Sequence, residues 1–225
     1  AWPGGSLTAP CAANVQTTGD RRLDLRGDFG AAVTLTGQDA GGRSLAALQI
    51  AGAATGLTID AAGGVNMVSA KQWNGGSLRA RWLGRLIVQA NPSVAGLDGD
   101  LAADVMLTSQ DTRGRSATLI QVAGAIGEGR TIDLAAGADR ILFGRWTDGA
   151  LTGRWARVIQ ATGNRQRGLS GDFGATVTLQ GDPQKRYALE QLAVAGDLTG
   201  AAITVLDGAA RLVSVVGTAC DSRVA

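Results

Sequence analysis

Apolar and polar positions alternate with period two along most of the chain. Val33-Thr34-Leu35, Val105-Met106-Leu107, Val177-Thr178-Leu179 and Leu57-Thr58-Ile59 all read in-out-in, and Leu86-Ile87-Val88 parallels Val15-Gln16-Thr17. Such runs predict short strands, about four to six residues long, with one face buried and the other wet. Between them stand Gly19-Asp20, Gly41-Gly42, Gly63-Gly64 and Asp207-Gly208, residue pairs suited to tight turns. No stretch sustains the i, i+3, i+4, i+7 apolar spacing over the roughly ten residues that a helix requires.

The strands recur at a fixed period. Gly27-Asp28-Phe29-Gly30-Ala31 returns as Gly99-Asp100-Leu101-Ala102-Ala103 and as Gly171-Asp172-Phe173-Gly174-Ala175, each 72 positions on. Leu48-Gln49-Ile50-Ala51-Gly52, Ile120-Gln121-Val122-Ala123-Gly124 and Leu192-Ala193-Val194-Ala195-Gly196 keep the same offset. Trp2, Trp73 and Trp146 open a third matching set at offsets of 71 and 73. The chain is therefore read as a single domain, 1–225, of three repeats (1–71, 72–144, 145–217) and a C-terminal tail, 218–225. Three landmarks divide each repeat into sections of about 24 residues, the length of one β-helix coil. The expected fold is all-β: a right-handed parallel β-helix, or solenoid, of about nine coils. Handedness follows the general preference of parallel crossovers, and strand spacing makes the stack about 40 Å long. Three lobes closing around an axis is the competing arrangement.

The phrases Trp-x-Gly-Gly-x-Leu, Gly-Asp-Phe-Gly-Ala-x-Val-Thr-Leu-x-Gly and Val194-Ala195-Gly196-Asp197-Leu198-Thr199-Gly200-Ala201 resemble the β-helical repeat arrays of large exported proteins of planctomycete-like bacteria. The resemblance spans all three repeats and specifies a fold. It implies export to the extracellular space or cell surface, and a structural or adhesive role.

Composition agrees with short strands and frequent turns. There are 34 glycines but only five Trp, three Phe and one Tyr, so Ala, Val, Leu and Ile must fill the core. The charges, 21 basic and 19 acidic, are scattered singly, and no basic stripe points to nucleic acid. No apolar run reaches the roughly 20 residues of a membrane span. Histidine is absent, which removes the commonest general base and metal ligand.

Most candidate chemistry dissolves against the repeat. Arg26-Gly27-Asp28 spells an adhesion tripeptide, yet its equivalents are Asp98-Gly99-Asp100 and Ser170-Gly171-Asp172, so only Gly-Asp is maintained. Asp28, Asp100 and Asp172 are read as turn carboxylates that satisfy backbone amides, calcium being the alternative occupant; no other cofactor is expected. Asp60 and Asp133 are equivalent, but Thr204 breaks the series, and the acids form no pair suited to glycoside chemistry. The chain is read as non-enzymatic. Trp73, Trp82, Trp146 and Trp155 are read first as packing at coil corners and second as stacking faces for glycans. Arg113-Gly114-Arg115 is read as a solvated loop.

Cys11 stands nine positions after its tryptophan, where the other repeats carry Trp82 and Trp155, and Cys220 lies just past the third repeat. In an open stack the two thiols mark opposite ends, too far apart to bond within one chain; in a closed ring they would meet. The expected function is a structural subunit of a head-to-tail fibre or surface layer, self-assembling and locked by Cys220 of one chain to Cys11 of the next. The alternative is a carbohydrate-binding or polysaccharide-degrading β-helix.

Overall fold

The computed structural model describes residues 1–20, 22, 23 and 25–225. The chain is all-β and built on two long sheets in which every pairing is parallel. Sheet A runs in ten strands through Ser6–Ala9, Ala32–Leu35, Ala53–Ala61, Gln72–Ala80, Asp104–Leu107, Arg130–Leu134, Gly149–Gly153, Thr176–Leu179, Ala202–Val205 and Arg223–Val224. Sheet B runs in nine, from Ala12–Thr17 through Arg43–Ile50, Gly64–Ala70, Leu83–Val88, Ala117–Ala125, Gly137–Arg145, Trp155–Ala161 and Leu189–Val194 to Val213–Val215. Along the chain, strands of the two sheets alternate, so each complete pass adds one level to both. Among the described residues a single 3₁₀ turn, Arg165–Arg167, lies in a connecting loop.

Register converts the period-two pattern into columns. In sheet A, Val33, Ile59, Leu78, Val105, Ile132, Leu151, Val177 and Ile203 stand one above another and are buried. Facing them from sheet B are Leu48, Val68, Leu86, Ile120, Ile141, Ile159 and Leu192. These columns join one continuous core. Strands of parallel sheets covered on both faces read as unbroken apolar runs; here the neighbouring column, which includes Thr8, Thr34, Asp60, Arg79, Asp133, Thr152 and Thr178, turns to water. The alternation in sequence thus reports two sheets that cover each other on one side alone.

A third line closes the end of the core. Bridges align Trp2 with Phe29 and Ala54, Trp73 with Leu101 and Ile126, and Trp146 with Phe173 and Leu198. All three landmarks of each repeat therefore occupy one position at successive levels. The levels are unequal, however: 27 positions separate Trp2 from Phe29, 25 separate Phe29 from Ala54, and 19 separate Ala54 from Trp73. Most of the excess over the shortest level is taken up by loops, and the strands keep register except for irregularities between Arg43 and Leu45 and between Val122 and Ala125. Several strands also exceed the expected length, Gln72–Ala80 and Gly137–Arg145 reaching nine residues.

Neither sheet closes on itself. Ser6–Ala9 and Arg223–Val224 stand at opposite margins of sheet A, so the ring of three lobes does not form.

Candidate functional site

The repeated aspartates tie one level to the next. Asp28 Oδ1 accepts the Ala53 N–H at 2.7 Å, Asp100 Oδ1 the Ala125 N–H at 2.7 Å, and Asp172 Oδ1 the Asp197 N–H at 2.9 Å. Each follows a glycine held at positive φ: Gly27 at 76°, Gly99 at 78° and Gly171 at 88°. Each carboxylate also lies where a Cβ on Gly52, Gly124 or Gly196 would have to stand. The Gly-Asp and Ala-Gly landmarks are thus two sides of one contact. Asp197 extends the series by accepting the Thr218 N–H at 2.7 Å. Gln72 plays the same part before Asp100, its Oε1 accepting the Asp100 N–H at 2.8 Å. The three repeat aspartates sit three levels apart and do not stack on one another. Among the described residues no group of three or more His, Cys, Asp or Glu is gathered for a metal ion.

The turn into sheet B is organised by another column. Cys11, Ser44, Gly64, Trp82, Ser116, Gly137, Trp155 and Ala188 each precede the first inward residue of a sheet B strand. The equivalence of Cys11, Trp82 and Trp155 is therefore a true spatial alignment. Trp82 lies over Gly64, and Trp155 over Gly137, where any Cβ would strike the indole. Ser116 is buried; its Oγ donates to the Ser109 carbonyl at 2.7 Å and accepts the Ala136 N–H at 2.8 Å. Ser44 repeats this with the Gly37 carbonyl and the Gly63 N–H. These serines and Gln72 escape a reading of the linear sequence.

As stacking faces, three of the four tryptophans are corrected. Trp73 and Trp146 are wholly buried in the end column, and Trp155 is 3% exposed with the Lys185 ammonium 4.3 Å over its ring. Trp82 is half-buried. The Trp73 N–H donates to the Gly75 carbonyl, whereas those of Trp146 and Trp155 are buried without a partner.

The loops entering this column share the phrase Gln-Asp-x-x-Gly-Arg-Ser, at Gln38–Ser44 and Gln110–Ser116. Asp111 Oδ1 accepts the Arg113 and Arg115 N–H groups, and Oδ2 pairs with the Arg115 guanidinium at 2.7 Å. Arg115 reaches on to Asp139 at 2.8 Å, so it is an anchored residue and not a solvated one. Burial alone would raise the Asp111 pKa, but the Arg115 side chain and the two N–H donors outweigh it and hold the carboxyl below the ordinary range. The hydrogen bond that the Arg115 guanidinium donates to Asp111 in turn raises the Arg115 pKa. Asp39, bonded by the Arg43 and Gly41 N–H groups and the Arg43 side chain, is likewise lowered.

The third repeat abandons this design. Pro183, Tyr187 and Ala188 replace the Asp, Arg and Ser, and the loop borders a cleft of about 290 Å³ lined by Asp139, Trp155, Arg157, Lys185, Tyr187 and Glu190, among others.

Cys11 and Cys220 are both free and exposed. Cys220 pairs with Thr199 in the line closing the core, where Gly174, Gly30 and Pro3 stand at earlier levels. Cys11 instead begins sheet B, with strand Ser6–Ala9 between the two positions. A further level added in register would not bring Cys220 against Cys11. Compared with protein-family models, curated proteins and solved structures, the chain gives no match.

Proposed function

We propose that the chain is a right-handed parallel β-helix of nine full coils that serves as an extracellular structural rod, a subunit or segment of a fibre or surface layer. The observation carrying this reading is the fate of the repeated residues. Asp28, Asp100 and Asp172, together with Gly52, Gly124 and Gly196, are all spent on joining one level to the next. A repeat selected for such joints builds length, as solenoids do.

The outermost strands support the same reading. Ala12–Thr17 at one margin and Val213–Val215 at the other each pair on one side. Open strand edges template further pairing, and the ladder accepts additional levels from a second copy or from more of the same polypeptide. Backbone hydrogen bonds across coils, not the thiols, hold such a junction, since the register keeps Cys220 away from Cys11. Export rests on the resemblance to exported repeat arrays.

Negative-stain electron microscopy of the purified protein, combined with small-angle scattering, tests the proposal. Particles of constant width whose lengths step by about 40 Å support it. Isotropic particles without elongation or filaments at any concentration reject it.

A further inference from the structure

We propose that the cleft between Trp155 and the loop 182–188 binds an acidic saccharide, its carboxylate held by Lys185, Arg186 and Arg157 and its ring packed on Tyr187. This goes beyond the structural role and does not depend on it.

The case starts from a break in the repeat. In the first two repeats the equivalent loop closes on itself through Asp39–Arg43 and Asp111–Arg115. At the third, Pro183 and Tyr187 stand in those places, and Arg186 replaces the glycines Gly42 and Gly114. Asp182 turns the loop differently, its carboxylate accepting the Gln184 N–H and its carbonyl the Lys185 N–H. The self-pairing is lost, and the protein's one tyrosine and two adjacent cations are brought to the rim. A residue that recurs belongs to the scaffold; a departure confined to one corner, with an open cleft beneath it, is where a ligand would be accommodated.

Charge selects the ligand's sign. Both carboxylates of the cleft are engaged from outside it: Glu190 pairs with Arg211 at 3.1 Å, and Asp139 shares the Arg115 guanidinium, at 2.8 Å, with Asp111. Arg157 has only a 4.0 Å approach to Asp139, and among the described residues no carboxylate pairs with Lys185 or Arg186. Lys185 sits instead 4.3 Å over the Trp155 ring, and Arg186 5.2 Å over Tyr187. Resting on aromatic faces, these cations remain available to an anion. The volume, about 290 Å³, is at the small end of small-molecule sites. Cations beside the half-buried Tyr187 ring suit a sugar acid better than a bare inorganic anion, which would leave the ring unused.

Titration of tryptophan fluorescence with trigalacturonate, maltotriose and sodium sulfate is the test, with chemical-shift perturbation in labelled protein locating the contact. Trigalacturonate should saturate the signal, and its binding should weaken with added salt. Lys185→Ala and Arg186→Ala change exposed side chains and should each weaken binding by about tenfold, with melting temperature unchanged. Tyr187→Ala removes the ring and should weaken it several-fold; if that variant fails to fold, the two loop variants decide. The proposal is overturned if trigalacturonate does not bind, if maltotriose or sulfate binds as well, or if Lys185→Ala and Arg186→Ala leave its affinity intact.

Discussion

The carboxylate of Asp100 occupies the space that a side chain on residue 124 would need, and from there it accepts the Ala125 N–H at 2.7 Å. Gly124 is bare because Asp100 reaches across the level. Gly124→Ala should therefore cost about 2–3 kcal/mol, by expelling the acceptor and stranding a backbone donor. Asp100→Asn, which keeps an oxygen in place, should cost much less. Asp100→Ala with Gly124→Ala should be less destabilising than the two singles added, since one collision has been removed. Chemical denaturation of the four variants reads this; strict additivity would mean the two residues are not one contact.

Ser116 offers a second test in the same terms. Its hydroxyl bridges the Ser109 carbonyl and the Ala136 N–H in a fully buried position. Removing it leaves two buried backbone groups unpaired, so Ser116→Ala should cost about 1–3 kcal/mol. Ser44→Ala should do the same through Gly37 and Gly63. Thermal unfolding measures both, and a change within error for either would show that the bridge contributes nothing.

What the sequence discloses and what it conceals can be traced to these residues. An offset of 72 aligns Phe29 with Leu101 and Phe173, and offsets of 71 and 73 align Cys11 with Trp82 and Trp155, because nearly equal loop lengths return the chain to one place every third level. Partners on adjacent levels are harder to see. Asp28 meets Ala53 25 positions on, Gln72 meets Asp100 28 on, and Asp133 meets Thr152 19 on. No single period within the repeat exposes those contacts. Of the two readings of the tryptophans, packing agrees with the burial of Trp73, Trp146 and Trp155, and only their use as stacking faces fails. The charged loops were legible in principle, since Gln-Asp-x-x-Gly-Arg-Ser occurs twice at the repeat offset; its loss in the third copy is the signal that leads to the Trp155 cleft.

Acid should destabilise the chain through the loop aspartates. Asp39 and Asp111 titrate below their ordinary value of 3.8 in the folded chain. A depressed folded pKa contributes stability that is fully present above the unfolded value and is lost as pH falls through the folded one. The melting temperature should thus hold steady from neutral pH down to about 5, then fall below about 4. Asp111→Asn should lower stability by about 1–2 kcal/mol at neutral pH and flatten the acid limb. An acid limb identical to that of the unaltered protein would show that Asp111 does not carry this dependence.

The two cysteines give the last prediction, and register supplies its sign. Cys220 belongs to the column of Thr199, Gly174, Gly30 and Pro3, whereas Cys11 opens sheet B on the far side of strand Ser6–Ala9. Stacking of copies in register leaves the sulfurs on different corners, and bonding needs Cα atoms within about 7 Å. Both thiols are exposed and free, so both should react with a thiol reagent in the native protein without denaturant. The double variant Cys11→Ser/Cys220→Ser should retain the melting temperature and whatever rod or filament length the unaltered protein attains. Filaments that shorten on adding reductant, or that the double variant cannot form, would mean that the copies join out of register, with the disulfide and not the strand ladder as the bond between them.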